Sequence, residues 1–505
     1  MRSGYSSSLK GLIVILLLSC TAIGTRGQLP GGSTTVLPGV AGSSTSGGSS
    51  AASSAAATAP APGQSQNPYA GSVPSQAIAG VFPLSLQEAI DRGLKTNLGA
   101  LLSSADITSA RGQRWEQLSA LLPHVTATPY IDVSQIDLKE FGFSFSVPAN
   151  SGFSIPSIVG PFSYFDARAN LSQQLFNWQS VENARAATQR VKEGEHTYKD
   201  ARDLVVLAVG YNYLLAVADE ARIQTADAQV KTAQALYQQA SDQVQAGTSP
   251  AIDALRNRVE LQTRQQQLIQ AKNDYAIQKL TLARAIGLAP GQQYELTDKS
   301  LYEPFQGITV EEAEKRAYES RSDFRAAQEE VLAAEYARKA ATAGYYPTLN
   351  FGADYGVAGP HADSSHGVFD VRGTLTIPIF TGNSVHGDVL QAQAQLEQSR
   401  ERLENLRAQI DTDVRTALFN LQSASDQVTV AKSNIDLAEQ TLIQSRDRFS
   451  AGVTDTVEVV QAEEQVASAN EQYISSLYNF NYAKISLARA IGGAEEGVKE
   501  YFKGH

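Results

Sequence analysis

Apolar residues recur in this chain with two different periods. Leu349, Phe351, Ala353, Tyr355 and Val357 alternate with Asn350, Gly352, Asp354 and Gly356. Beyond a polar loop, Phe369, Val371, Gly373, Leu375, Ile377 and Ile379 alternate with Asp370, Arg372, Thr374 and Thr376. Alternation sends successive side chains to opposite faces, so each run predicts a strand of about 10 residues with one apolar and one polar face. A second strand pair is expected between Val125 and Phe176. There Phe141, Phe143, Phe145 and Val147 alternate with Gly142, Ser144 and Ser146, and Phe165, Ala167, Ala169 and Leu171 with Asp166, Arg168 and Asn170. The phase breaks near residues 135–138, which predicts a bulge or an extended loop.

Elsewhere the pattern is helical. Residues 178–245 contain no proline, and neither do residues 383–450. Each stretch, if continuously helical, is roughly 100 Å long. Each is followed by a glycine, Gly247 or Gly452, and by a returning segment that ends in the same hexapeptide, LARAIG, at Leu282–Gly287 and Leu487–Gly492. Ile435, Leu437, Ala438, Leu442, Ile443 and Phe449 fall at three- and four-residue spacings and predict a seam for an antiparallel partner helix. Short helices are expected over 83–97, with Ser85 as N-cap, and over 309–320. A second helix in each half stops before Pro123 or Pro347.

The repeated hexapeptide belongs to a longer duplication. Ala246-Gly247 corresponds to Ala451-Gly452, Asp242 to Asp447, and Asp253 to Glu458, all at one offset. The chain therefore divides into a first repeat over 81–300 and a second over 301–493, with a tail over 494–505. Residues 28–80 are rich in Gly, Ser, Ala and Pro and read as a disordered linker. Residues 1–27 read as an export signal, with Arg2 and Lys10 ahead of a short apolar run too short to span a bilayer. Cys20 is the one cysteine in the chain. Two readings stand for it: lipidation after cleavage behind residue 19, or removal with a longer signal.

Charge and chemistry narrow the choices. The chain carries 52 acidic and 41 basic residues, a net charge of −11, which disfavours a nucleic-acid surface. A single cysteine excludes an intrachain disulfide or a cysteine zinc cluster. No phosphate-binding glycine loop precedes a helix, so the chain is not its own energy source. His361, Asp363 and His366 sit in a polar loop and read as loop residues rather than a metal site. No catalytic, cofactor-binding or metal-binding constellation is expected.

No segment after the export signal approaches 18 consecutive apolar residues, so a membrane crossing without transmembrane helices would use a closed β-barrel. Four strands per chain are too few to close, because bilayer barrels begin at about eight. Oligomers would supply eight strands from a dimer or twelve from a trimer. The long helices of several chains, side by side, would make a tube continuous with that barrel.

The duplicated plan, the proline-terminated helices before each hairpin, and the segment RFSAGVTDTVEVVQAEEQVASANEQY resemble the TolC-type outer-membrane efflux protein family. Arg448, Phe449, Gly452, Val459, Val460 and Ala462 occupy that family's helix-tip pattern, with Glu463 where glutamine is usual and Gln243-Val244 where the second repeat has Arg448-Phe449. The resemblance implies a mainly α chain with a membrane β-barrel portion, and a homotrimer with a 12-stranded barrel and a helical periplasmic tunnel. It also implies a periplasmic adaptor and an inner-membrane transporter as partners, and a place in the outer-membrane lipid of a Gram-negative-type envelope. Gly247, Gly452, Arg448 and Phe449 would then be turn and adaptor-contact residues.

The tips hold the candidate gate. Asp242 and Asp447 precede the two turns, Asp253 and Glu458 follow them, and Asp455 is extra. Three copies of an inward acid would form a ring that favours cations, while Arg446, Arg448, Arg256 and Arg258 could pair with these acids. The function expected is a passive export duct with no enzymatic step. The alternative is a lipid-tethered coiled-coil scaffold in the periplasm, which would have no use for four amphipathic strands.

Overall fold

A computed structural model describes residues 68–76, 80–142, 156–298, 305, 307–454 and 456–501. The export signal, Cys20, most of the linker, residues 143–155 of the first hairpin and Asp455 lie outside the described residues.

The element order is written twice. The first repeat runs β1 (Phe82–Leu84), α1 (Leu86–Thr96), α2 (Leu98–Ser119), β2 (His124–Asp137), β3 (Ile158–Phe176), α3 (Trp178–Gln245) and α4 (Ala251–Ala285), then β4 (Tyr294–Leu296). The second runs α5 (Val310–Ser320), α6 (Ser322–Thr342), β5 (Thr348–Gly359), β6 (His366–Thr376), α7 (Ser384–Ser450) and α8 (Thr456–Ala490), closed by α9 (Ala494–Tyr501). Ser85 caps α1, accepting from the Glu88 N–H. Thr309 and Glu312 form a reciprocal capping box at α5. At 68 and 67 residues, α3 and α7 are each about 100 Å long.

The four long strands form one antiparallel sheet in the order β2-β3-β5-β6, so the two hairpins join through β3 and β5. The register keeps the two faces apart. On one face Ala127, Ala169 and Tyr355 are cross-strand neighbours, and Leu171, Ala353 and Val371 likewise; on the other, Thr126, Asn170, Asp354 and Asp370 line up. Val125, Ile131, Tyr355, Phe369, Val371 and Leu375 on the apolar face are all exposed in the single chain. A register shift between Ser134 and Ile136 places a bulge where the alternation breaks.

Some boundaries differ from the sequence reading. Phe141 is in a 3-10 turn over Leu138–Phe141, not a strand, because Gly142 turns the chain at φ +75°. β6 ends at Thr376, two residues before Pro378, so Ile377 and Ile379 lie in a loop. The seam of α7 starts earlier than expected. Ile410, Val414, Ala417, Leu421, Ala424, Val428 and Ala431 are buried, Ile435, Ala438, Leu442 and Phe449 are half-buried, and Leu437 and Ile443 are exposed. The small parallel pair β1-β4 was not foreseen.

The hydrophobic core lies where short and long helices cross. One cluster gathers Leu84, Ile90, Val205, Val209, Tyr213, Leu282 and Ile286, with Ile485 of α8 and Val498 of α9. A second gathers Ala313, Ala317, Phe324, Ile410, Val414, Phe480, Leu487 and Ile491. The most apolar window of α3, the one described helix apolar enough by composition to span a bilayer, is half buried and supplies Val205, Val209 and Tyr213 to the first cluster. Both LARAIG segments end here. Gly287 and Gly492 adopt φ +67° and +83°. A Cβ on Gly287 would meet Thr96 Oγ1 at 2.6 Å, and one on Gly492 would strike the backbone of Arg321. Each returning helix thus stops against the junction of its own repeat's two short helices, and only glycine fits both the turn and the approach.

Candidate functional site: the two helical tips

At both tips the long helix ends in the same hydrogen-bonded turn. Ala246 N–H donates to Asp242 O at 2.9 Å, Gly247 N–H to Val244 O at 3.1 Å and Thr248 N–H to Gln243 O at 2.9 Å. In the second repeat Ala451, Gly452 and Val453 donate to Asp447, Phe449 and Arg448 at 3.0, 3.0 and 2.9 Å. Gly247 and Gly452 share φ +70°, the left-handed conformation that ends a helix without a Cβ clash.

The acids at equivalent positions have different surroundings. Asp242 and Asp447 are both exposed, and Asp242 accepts from Gln238 Nε2 at 2.9 Å. Asp253 is half-buried, 3.7 Å from Arg256. Glu458 is held most firmly. It lies 3.3 Å from Arg448 Nη1, and the hydroxyls of Thr454 and Ser445 donate to it. Phe449 is half-buried. The expected pairing of arginines with tip acids is therefore met by Arg448 with Glu458 and, at longer range, by Arg256 with Asp253.

Arg446 takes a partner that the tip motif did not single out as a site. Its Nη2 is 2.9 Å from Glu463, whose side chain is 8% exposed. Burial pushes the Glu463 carboxyl above its usual range, and Arg446 only partly offsets the rise. Higher up, Arg222 of α3 grips Glu471 of α8 with two nitrogens at 2.8–3.1 Å and Asp219 with a third at 2.7 Å, linking the repeats. Burial also raises Asp219. A groove between α4 and α8 is lined by Ile252, Leu255, Val259, Val457 and Val460. Ile252, Leu255 and Val259 are exposed at three- and four-residue spacing on an otherwise polar helix, a signal that was readable in the sequence.

His361, in the outer loop, lies 3.0 Å from the Ser163 hydroxyl. Among the described residues no cluster of His, Cys, Asp and Glu is arranged to hold a metal ion.

The fold is that of a known family. The family model described as outer membrane efflux protein matches residues 103–288 and 314–493. The chain belongs to the outer membrane efflux protein family. It is 25% identical over 201 residues to outer membrane protein TolC of Escherichia coli, a match covering 37% of this chain and 40% of TolC. It is 21% identical over 335 residues to the pyoverdine export outer membrane protein OpmQ of Pseudomonas putida, covering 65% of this chain and 70% of OpmQ. The CmeC outer membrane channel of Campylobacter jejuni superposes with a TM-score of 0.70 at 18% identity, covering 83% of this chain and 89% of CmeC. That likeness establishes the fold. The chain spans less than half the length of TolC in sequence, and its relation to other family members is broader.

Proposed function

We propose that this chain is the outer-membrane channel of a tripartite export system. Three copies close a 12-stranded barrel from the β2-β3-β5-β6 sheet, and their long helices form a periplasmic tunnel. The observation that carries this reading is the sheet itself. One face is apolar and exposed from Val125 to Leu375, the other is polar, and the outer edges of β2 and β6 are unpaired among the described residues. Lipid tolerates such strands only when the sheet closes. The duct is passive: a periplasmic adaptor docks at the tips, and an inner-membrane transporter drives the cargo. Membership of the outer membrane efflux protein family, and similarity to the pyoverdine export protein OpmQ, support the outer-membrane export role.

In this reading Gly247 and Gly452 set the turns, with Arg448 and Phe449 presented to the adaptor. Asp242 and Asp447 are the exposed acids available to form a ring, with Asp253, Asp455 and Glu458 nearby in sequence. Glu458 is tied to Arg448 and acts as a latch rather than a free charge. The test is planar-bilayer conductance of the detergent-purified oligomer, with its mass measured by light scattering. The expected result is a trimer of small, cation-preferring conductance that rises in Asp447→Ala. A soluble, non-conducting particle would overturn the reading in favour of a periplasmic scaffold.

A further inference from the structure

On the channel reading just given, the polar face of the sheet lines the lumen, and its charges form a stripe. Arg168 on β3 contacts Asp166 at 2.7 Å and Asp354 of β5 at 3.2 Å. Asp354 faces Asp370 across β5 and β6. Arg372 on β6 pairs with Asp370 at 3.3 Å, yet its side chain is 71% exposed and it stands on an open edge. At the opposite open edge, on β2, Asp132 is exposed on the same polar face, with Ser134 Oγ donating to it at 3.0 Å. One edge therefore ends in an exposed arginine whose partner is Asp370, and the other in an exposed carboxylate.

The register between copies is constrained. Strands alternate in direction across the sheet, so β6 of one copy meets β2 of the next antiparallel. Both polar faces must point inward, which restricts the offset to an even number of residues. Within one chain Thr126, Asn170, Asp354 and Asp370 lie on one cross-strand line. Barrel strands tilted by about 35–45° and spaced about 4.8 Å apart drift by roughly 13–19 Å over four steps, or about four to six residues. The drift runs toward higher numbers on β2, because the other direction leaves the strand at His124. Asp370 therefore meets Tyr130 or Asp132 of the next copy. In the first case Asp132 faces Val368 and Arg372 faces Thr128. In the second, Asp132 lies one same-face step from Arg372, within reach of a long side chain.

We propose that a second copy of this chain docks its β2 edge on β6 in the longer offset, so that Arg372 bridges Asp370 and Asp132 of the next copy. The opposition of Asp132 and Asp370 repeats what the chain already accepts between Asp354 and Asp370, and one arginine serving two carboxylates repeats Arg168, which holds both Asp166 and Asp354. The stripe then runs unbroken around the lumen, and each seam supplies one of its links.

Disulfide trapping tests the register. The double variant Asp132→Cys/Asp370→Cys is oxidised in the purified detergent oligomer beside Tyr130→Cys/Asp370→Cys. The single variants report any linkage through Cys20. The expected result is covalent dimers and trimers from the first pair, at least about fivefold above the second, since a disulfide needs Cα atoms within about 7 Å. Preferential trapping of the second pair would establish the shorter offset and overturn the proposal. A trimer by light scattering that traps with neither pair would overturn this seam while leaving the channel standing. Absence of a trimer would remove the channel reading as well. Arg372→Gln should lower the temperature at which the trimer dissociates in detergent, and an unchanged temperature counts against the bridge.

Discussion

The guanidinium of Arg446 on α7 lies 2.9 Å from Glu463 on α8, whose carboxylate is almost fully enclosed while the arginine remains 41% exposed. The two helices are thus tied just above their turn by a charge that cannot reach water on its own. Removing the arginine leaves that charge buried and uncompensated, which costs more than the pair itself contributes. Arg446→Ala should therefore destabilise the helical pair by about 1–3 kcal/mol, the lower part of the range for a buried pair because Arg446 is partly solvated. Glu463→Gln, which keeps the shape and removes the charge, should cost less. Thermal melts of both variants by circular dichroism check the order. The opposite order would mean that Glu463 is neutral in the folded protein.

Two glycines of the second repeat, one ending LARAIG and one at the tip turn, supply a comparison within one molecule. Gly492 sits at φ +83° against the Arg321 backbone, whereas Gly452 sits at φ +70° with open space where a Cβ would go. Alanine at Gly452 meets only the left-handed strain, about 1 kcal/mol. Alanine at Gly492 adds a steric collision with main chain, for a total of about 3 kcal/mol or more. Gly492→Ala should lower the yield of folded trimer, and Gly452→Ala should not. Size-exclusion profiles of the two variants, purified in parallel, decide it.

The duplication explains why so much of this fold was legible and where legibility stopped. Period-two runs at Leu349–Val357 and Phe165–Leu171 marked strands because each has one apolar and one polar face. The proline-free stretches marked α3 and α7, whose observed ends match to within a residue. What failed depended on context that no local pattern carries. The seam of α7 was placed at Ile435–Phe449, where Ile435, Ala438, Leu442 and Phe449 are half-buried but Leu437 and Ile443 are exposed, and its most buried stretch, Ile410 to Ala431, was not singled out. The identical arginines of LARAIG diverge too. Arg489 is drawn into a buried network with Asp200 and Asp323, while Arg284 is exposed. At the tips the acids were visible as residue types, but that Glu458 is held by Arg448 and Asp447 left exposed required coordinates.

Acidity should tighten the docking of α9. Asp203 on α3 is buried and accepts from the Glu495 N–H at 3.3 Å, while the neighbouring Arg202 holds the Glu495 carboxylate at 2.8 Å. Burial pushes the Asp203 carboxyl from 3.8 up to about 6, against the pull of Arg489 and with further upward pressure from Asp200 and Glu495. A carboxyl raised in the folded state is favoured there in its protonated form. The stability it contributes is full below about pH 4 and is lost as pH rises through about 6, on the order of 3 kcal/mol in all. Hydrogen exchange of α9 amides should be slower at pH 5 than at pH 7.5 after correction for the intrinsic rate. Asp203→Asn should remove most of that difference. A pH dependence unchanged in the variant would assign the effect to Asp200, which burial also raises.

Gly452→Pro separates the tip from the rest of the assembly. Proline fixes φ near −65°, which φ +70° cannot accommodate, and it removes the N–H that donates to Phe449 O at 3.0 Å. The turn must therefore be rebuilt. Yet Gly452 is exposed, no side chain approaches it, and both core clusters and the β-sheet lie elsewhere on the chain. The variant should assemble as a trimer with a normal melting temperature and lose export, because the surface offered to the adaptor is changed while the barrel is not. Light scattering and an export assay in the same cells check both halves of the expectation. If the trimer is lost as well, the turn is a folding element and the tip is not an independent docking feature.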